Sequence, residues 1–417
     1  MHLTYRQSCR GCGSTSLTPV IDLGEQFVQG AFVKPGVQPP TMRRIPLRLV
    51  RCDPTKDQLA CGLLQTSVTV PPEILYATYW YRSGTNDTMR THLSTIAAEA
   101  IELVSSDTPA VLDIGCNDGT LLKSYPESFN RIGIDPSNAI EAIGPEITVV
   151  QSTFPSDELD ARLKGKKLDV ITSIAMFYDL EDPVSFVRAI KSALAPEGVW
   201  IFEMSYMPAM LRSNSYDTIC HEHLEYYSLA VLEFILARAG MKIFRASLNG
   251  INGGSIRCYA TPAQNFSFKT TGDTLTELRR DEFDLALDSD APYRDFQERV
   301  EAHRDDLTKL IKDLKRAGNR IHVYGASTKG NVILQFCGID NSLIDYAADR
   351  NPDKNGARTI GTDIPIISEE ESRKMRPDYY LVLPWHFRDE FVARERETMK
   401  NGAKFIFPLP TIEIVGA

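Results

Sequence analysis

From Pro71 to about Pro262, short apolar runs alternate with stretches of helical period. The runs Ala110–Ile114, Arg131–Asp135, Ile147–Val150, Leu168–Ile174, Val199–Glu203, Lys242–Ala246 and Ser255–Ala260 predict strands. Between them, Pro183 to Ala195 reads as a helix stopped by Pro196-Glu-Gly198, and Ser228 to Ala239 as another stopped by Gly240. Ser228 suits an N-cap, and Gly240 suits the left-handed residue that follows a helix. This order of elements predicts an α/β fold around a doubly wound sheet, which binds ligands at the carboxyl ends of its strands.

The flanking regions read differently. Residues 1–70 are rich in Gly, Pro and short β-prone runs and form a small domain of their own. After the central domain at 71–262, the segment Phe266 to Asn319 is charge-rich. Within it Phe296, Val300, Leu307, Leu310, Ile311 and Leu314 fall at helical spacing, predicting a connecting helix with a solvated face and no chemistry. Ile321–Tyr324 then predicts a strand, Gly325–Gly330 a loop, and Asn331 the opening of a helix. Ile344–Asp349 repeats the strand ending in Asp, so 263–417 carries a second, Rossmann-like unit.

At 417 residues the chain is too long for one core, and its 43% hydrophobic share is ample for burial. A net charge of -9 argues against nucleic acid or an anionic membrane as partner. No apolar run approaches the ~18 residues needed to span a bilayer. The opening residues lack a signal-peptide core and the eight cysteines do not form a disulfide frame, so a reducing cytoplasm is expected.

Four of those cysteines point to a metal. Cys9-Arg-Gly-Cys12 followed by Gly13 makes a tight knuckle, and Cys52 with Cys61 supplies a second pair, spaced more widely than an ideal one. Four thiolates would hold a structural Zn²⁺ and compensate for a core too small to fold alone. Two buried pairs of unligated thiols are the plainer alternative.

Val111 to Leu122 reads VLDIGCNDGTLL, a strand, a glycine-bearing turn and a helix start. A bare backbone at a helix N-terminus lets a nucleotide-like ligand approach. Asp113 would point a carboxylate into that pocket, and Asp135, roughly 20 residues beyond the strand, could accept both hydroxyls of a ribose. Only Gly115 and Gly119 frame the turn, with Cys116, Asn117 and Asp118 between them, which is not the G-x-G-x-x-G of a dinucleotide binder. A ligand with a ribose, a positive end and no phosphate fits better, namely S-adenosylmethionine. The C-terminal Gly325–Gly330 loop is not a Walker A, yet its backbone with Ser327, Thr328 and Lys329 could cradle a diphosphate.

The chemistry is expected in Asp217-Thr-Ile-Cys-His221-Glu222-His223-Leu-Glu225-Tyr226-Tyr227, which follows the fifth strand and should face the cofactor. The spacing is wrong for a zinc protease. Histidine is well suited to take a proton near neutral pH, and an adjacent carboxylate would orient it. A structural hydrogen-bonded cluster is the alternative. A second polar aromatic group, Tyr76, Tyr79, Trp80 and Tyr81, offers phenols that can donate to an oxyanion.

Together the cysteine set, VLDIGCNDGTLL, CHEHLEYYSL, NGGSIRCY and YGASTKGN resemble the sugar C-methyltransferases that act on nucleotide-linked 4-keto-6-deoxy sugars in deoxysugar biosynthesis. The resemblance spans essentially the whole chain. It implies a zinc-binding domain, a Rossmann-like S-adenosylmethionine domain and a C-terminal Rossmann-like domain, with the sugar nucleotide in the cleft between the last two. It further implies that His223 removes the proton beside the ketone, at C-3, with Glu222 paired to it. His221 and a phenol from Tyr79 or Tyr81 would assist. Ala175 and Met176 would join the cofactor site, and Tyr76, Tyr178, Asn252, Ser327, Thr328, Lys329 and Asp349 would contact the substrate. Two departures stand out: Cys220 occupies a position where some members have tyrosine, and Met176-Phe177-Tyr178 replaces a histidine found in others.

Carbon attack on a sulfonium methyl first requires ionising a C–H bond, and a neighbouring ketone allows this through an enolate. Three other readings stay open. An O- or N-methyltransferase would need no keto group, an NAD-dependent epimerase or dehydrogenase would use the C-terminal loop, and a non-enzymatic zinc-ribbon scaffold would bind no cofactor. A self-contained three-domain chain is compatible with a monomer.

Overall fold

The computed structural model describes residues 3–41, 43–75, 80–269 and 273–416. Near the N-terminus, β1 (Leu17–Gln26), β2 (Ile45–Cys52) and β3 (Leu64–Thr66) form an antiparallel sheet. Along β2 the side chains of Ile45, Leu47 and Leu49 are buried while Arg48 is exposed, the alternation of a sheet with one face on a core.

The central sheet contains β4 (Ala110–Ile114), β5 (Asn130–Ile134), β6 (Thr148–Val150), β7 (Leu168–Ile174) and β8 (Leu194–Ser205), all parallel. A short strand, β9 (Glu225–Tyr226), leaves this sheet and pairs antiparallel with β3 of the N-terminal domain. β10 (Met241–Asn249) and β11 (Ser255–Pro262) return as an antiparallel edge, giving the order β10-β11-β8-β7-β4-β5-β6. The order reverses at β4 and β7, so a crevice opens beyond their carboxyl ends.

Both faces of this sheet are covered, which is why its strands read as apolar runs. Helix α1 (Asp87–Glu102) lays Leu93, Ile96, Ala97 and Ala100 over Val111, Val170 and Ile201. The Asn86 side chain caps it by accepting from the N–H groups of Thr88 and Met89. On the other face, α2 (Pro183–Ala193) and α3 (Leu229–Arg238) pack on Phe177, Trp200 and Phe202. Ser228 caps α3 through the Val231 N–H, and Gly240 takes φ +72° after it, as the sequence predicts. Pro196-Glu-Gly198 ends α2 but lies within β8 as an irregularity, because Leu168 pairs with Leu194 while Val170 pairs with Val199.

The long α4 (Ala291–Arg316) buries Phe296, Val300, Leu307 and Ile311 against the C-terminal domain. There β12 (Ile321–Tyr324) is followed by α5 (Thr328–Phe336), then β13 (Tyr346–Asp349), β14 (Ile366–Ser368), β15 (Tyr379–Val382), β16 (Lys404–Phe407) and β17 (Glu413–Val415). The order is β14-β13-β12-β15-β16-β17, parallel except for β17. Its switch point lies between β12 and β15. Helix α5 starts three residues before the expected Asn331, because the Ser327 hydroxyl accepts the Gly330 N–H at 3.0 Å and nucleates the first turn. Among the described residues, no helix is long and apolar enough to cross a membrane.

Candidate active site

The four N-terminal cysteines converge, with the Sγ atoms of Cys9, Cys12, Cys52 and Cys61 all within 4.8 Å of one another. Cys9 lies 3.5 Å from Cys61 and Cys12 lies 3.4 Å from Cys52, sulfur to sulfur. The Gly11 N–H donates to Cys9 Sγ at 3.3 Å and the Ser14 N–H to Cys12 Sγ at 3.5 Å, which is the knuckle the spacing predicts. The wide second pair closes because Asp53 folds its spacer, accepting from the Thr55 N–H at 3.0 Å and the Thr18 hydroxyl at 2.5 Å. Four sulfurs, joined by no further ligand among the described residues, fit a closed, structural Zn²⁺ site.

At the carboxyl end of β4, Gly115 and Gly119 both take φ +73°, a backbone that side chains rarely tolerate. The loop between them offers backbone rather than side chains. Cys116 turns inward, and a Cβ on Gly133 would stand 2.7 Å from its sulfur. Asn117 is held by the Tyr81 carbonyl (3.2 Å) and the Ser83 N–H (3.1 Å), and Asp118 by the Gly84 N–H (2.8 Å) and Thr120 hydroxyl (2.6 Å). Those three side chains therefore shape the loop.

Two carboxylates remain for a ligand. Asp135 accepts the Asn117 N–H at 2.9 Å on one oxygen and the Ser137 N–H at 2.8 Å on the other, which presents both oxygens in a fixed plane. Asp113 accepts the Thr172 hydroxyl at 2.6 Å. Burial, and secondarily the Asp135 charge, push Asp113 up to about 7. A cation and a vicinal diol would relieve that strain, so the pair fits S-adenosylmethionine. Ala175, at φ +54°, and Met176 wall the same crevice, with Met176 Cγ 3.4 Å from the position of a Cβ on Gly115.

The segment after β8 is drawn toward the N-terminal domain because β9 pairs with β3 and the Thr66 N–H donates to Leu224 O at 2.9 Å. His223 is half-buried, with Nδ1 2.8 Å from Thr218 O and its ring 4.1 Å from that of Tyr178. Bonding to a carbonyl requires Nδ1 to carry the hydrogen, which leaves Nε2 with the lone pair. Burial and the Lys329 charge lower His223 to about 3, against the Thr218 carbonyl, so it stays neutral.

Its neighbours differ from expectation. Glu222 does not hold His223, since the Thr218 carbonyl does. The Glu222 carboxylate turns the other way, its Oε1 2.2 Å from where a Cβ on Gly30 would stand, and burial raises its pKa. It lines a cavity of about 200 Å³ with Phe32, Lys34 and Trp80. His221 points away from the cleft into the N-terminal domain, where Nδ1 meets Gln29 Oε1 at 2.9 Å and burial lowers it to about 4. His221 and Glu222 both meet the loop at Gln29 and Gly30, while His223 turns to Thr218 O, so adjacency in sequence did not deliver all three to one point. Tyr81 is 45% exposed at the rim of the cofactor loop. Tyr76 and Tyr79 lie outside the described residues.

Of the residues expected at the substrate, Tyr178 stands against His223 and Lys329 Nζ donates to Asn252 O at 2.8 Å, joining the central and C-terminal domains. Asp349 is 3.3 Å from Lys354 Nζ. Ser327 and Thr328 form the N-terminus of α5. Two residues were missed. Trp385 Nε1 donates to Asp217 Oδ2 at 2.8 Å, and His386 beside it is lowered to about 3 by burial and then by Lys329. Both follow β15, and a strand end at the switch point was the available signal. Behind the site, His92 Nε2 lies 2.5 Å from Glu203 Oε1, while Arg257 Nε donates to Glu203 Oε2 at 2.8 Å.

Three family models match in succession: a zinc binding domain at residues 9–76, a methyltransferase domain at 89–245 and a C-methyltransferase C-terminal domain at 250–410. The chain is 26% identical to the C-methyltransferase NovU of Streptomyces niveus, a match covering 98% of this chain and 97% of that protein. It is 33% identical over 99 residues to the ubiquinone biosynthesis O-methyltransferase of Bordetella parapertussis, covering 22% of this chain and 40% of the other. A solved S-adenosylmethionine-dependent methyltransferase from Clostridium acetobutylicum is 13% identical, with a TM-score of 0.34 over 43% of this chain and 93% of its own.

Proposed function

This chain belongs to the S-adenosylmethionine-dependent C-methyltransferases, and on that premise we propose that it methylates C-3 of a nucleotide-linked 4-keto-6-deoxy sugar through an enolate. The observation that carries this is the His223 imidazole, fixed by Thr218 O at 2.8 Å with its Nε2 lone pair left for a proton. A carbon acid is the acceptor that needs such a group, because carbon has no lone pair with which to attack.

S-adenosylmethionine, when bound, supplies the electrophilic methyl group. Asp135 would hold the ribose diol, and Asp113 the cationic end, whose charge draws the carboxyl back toward ionisation. The backbone from Gly115 to Gly119, with Ala175 and Met176, would close around the remainder. Zn²⁺ supplies no reacting group and holds Cys9, Cys12, Cys52 and Cys61 together. The sugar nucleotide would lie along the carboxyl edge of the C-terminal sheet near Ser327, Thr328 and Asp349, with the sugar ring reaching the cleft between Tyr178 and Asn252. His223 Nε2 takes the proton beside the ketone. The electron pair moves into a carbon–carbon double bond as the carbonyl pair shifts to oxygen, and would return to form the new carbon–methyl bond as the sulfur–methyl bond breaks and its pair stays on sulfur. Holding both reactants in one cleft provides the in-line approach.

Purified enzyme in D₂O would be given dTDP-, GDP- and CDP-linked 4-keto-6-deoxyhexoses and followed by NMR. Exchange beside the ketone with one sugar, a carbon-bound methyl on adding S-adenosylmethionine, and loss of both in His223→Ala are expected. Methylation on oxygen or nitrogen without exchange would refute the enolate route.

A further inference from the structure

The glycine loop after β12 looks, in sequence, like a diphosphate cradle with Lys329 as its cation. Its geometry serves another purpose. A Cβ on Gly325 would meet Pro384 at 2.5 Å and one on Gly330 would meet Leu383 at 2.4 Å, so these glycines admit the neighbouring loop rather than a phosphate. The Lys329 side chain leaves that loop altogether. It reaches across the domain boundary to Asn252 O at 2.8 Å, in the loop that precedes β11. Asn252 takes φ +57°, and Trp385 fills the space beside Gly253, 3.0 Å from the position of a Cβ there. Trp385 in turn fixes Asp217, whose Oδ1 is buried with no hydrogen-bond partner among the described residues.

Three loops from two domains thus meet around one ammonium, whose charge also acts on His223. We propose that Lys329 is a catalytic residue, which stabilises the oxygen of the developing enolate while His223 removes the proton. This rests on the enolate reading above. The nitrogen has three hydrogens, of which Asn252 O takes one, leaving donors for a carbonyl oxygen. When His223 Nε2 takes the C–H proton, the carbonyl π pair moves onto oxygen and the Lys329 N–H holds the negative charge by hydrogen bonding. No proton leaves the lysine, and methylation restores the carbonyl.

The charged and titratable groups facing Lys329 are Asp217 and Cys220 on the catalytic segment, His223 beyond them, and His386 on the loop after β15. Burial first, and the lysine charge second, keep both histidines neutral in the free enzyme. When the enolate forms, its charge offsets that of the lysine, and His223 can accept the proton at the moment it must. Such preorganised stabilisation acts on the transition state and spares the ground state.

The test compares wild type with Lys329→Met and Lys329→Arg, using the 4-keto-6-deoxyhexose nucleotide that wild type exchanges. At saturating sugar, solvent exchange and methylation in Lys329→Met should fall about 10²–10³-fold, the effect of losing one oxyanion donor. KM should change by only a few fold, Lys329→Arg should recover part of the rate, and the acid limb of kcat/KM should move upward in Lys329→Met. A raised KM with unchanged kcat would overturn the proposal and return Lys329 to the diphosphate. Wild-type exchange with undiminished exchange in Lys329→Met would overturn it too, leaving the enolate reading intact. Absent wild-type exchange would instead refute that reading. Should Lys329→Met fail to bind S-adenosylmethionine, Lys329→Gln, which keeps a donor for Asn252, carries the same comparison.

Discussion

Replacing Asp113 with asparagine should stabilise the ligand-free protein and weaken its hold on the cofactor, two effects of opposite sign from one carboxyl. Asp113 is 3% exposed and sits at about 7 in the fold, against 3.8 for an ordinary aspartate. A folded value above the unfolded one means that the native state binds the proton more tightly. The resulting cost is absent below pH 3.8, grows as pH rises, and is complete above about 7. Roughly three units at about 1.4 kcal/mol each give a cost of about 4 kcal/mol at pH 8. Asparagine removes that cost, keeps the Thr172 hydrogen bond, and introduces a buried N–H₂ worth about 1–3 kcal/mol if unpaired. The variant should gain about 1–3 kcal/mol relative to wild type at pH 8, and the gap should shrink by about 2 kcal/mol at pH 5.5. Urea unfolding at the two pH values measures the gap. Calorimetric titration with S-adenosylmethionine should show wild-type affinity falling up to tenfold per unit below pH 7, with proton release on binding, and a weaker, pH-insensitive variant. A stability gap that ignores pH, with equal cofactor affinity in both proteins, would refute the argument.

Gly30→Ala should lower the melting temperature by a few degrees without altering cofactor affinity, because the added Cβ meets Glu222 Oε1 at 2.2 Å while the cofactor loop is untouched; thermal unfolding and calorimetry check both. Cys12→Ser should release the single zinc, seen by elemental analysis, and lower the melting temperature on the order of 10 °C, with protease cleavage appearing within residues 9–66. Wild-type melting in that variant would show the metal to be dispensable.

The sheet strands were legible because burial on both faces writes them as apolar runs, and Ser228 and Gly240 marked the ends of α3. The cysteine cluster was legible because a C-x-x-C knuckle and a second pair of thiols can meet at one metal whatever the spacer between them does. The helix α1 was not foreseen, although Met89, Leu93, Ile96, Ala97 and Ala100 fall at helical spacing behind the Asn86 cap. Side-chain direction was the larger loss. His221, Glu222 and His223 read as one cluster, yet the first two meet the loop at Gln29 and Gly30 while His223 stands against Thr218 and Tyr178, since pairing of β9 with β3 sets a turn that no residue type announces. Lys329 read as a phosphate ligand because the glycines around it matched that purpose. Their partners, Leu383 and Pro384, lie more than fifty residues away, and so do Trp385 and His386.

The pairing of β9 with β3 also governs how this architecture can be rebuilt. The loop at residues 27–31 is clamped from both sides, by His221 through Gln29 Oε1 and by α5 through the Asn331 hydrogen bond to Gln29 O at 2.7 Å. A chimera that borrows a C-terminal domain from a relative, to change the acceptor, therefore inherits a mismatch with a segment some three hundred positions upstream. Exchange of acceptor specificity by recombination demands that Gln29, the His221–His223 turn and α5 travel together. In lineages of such enzymes, crossovers that split this trio should be purged while crossovers within the sheet edges persist.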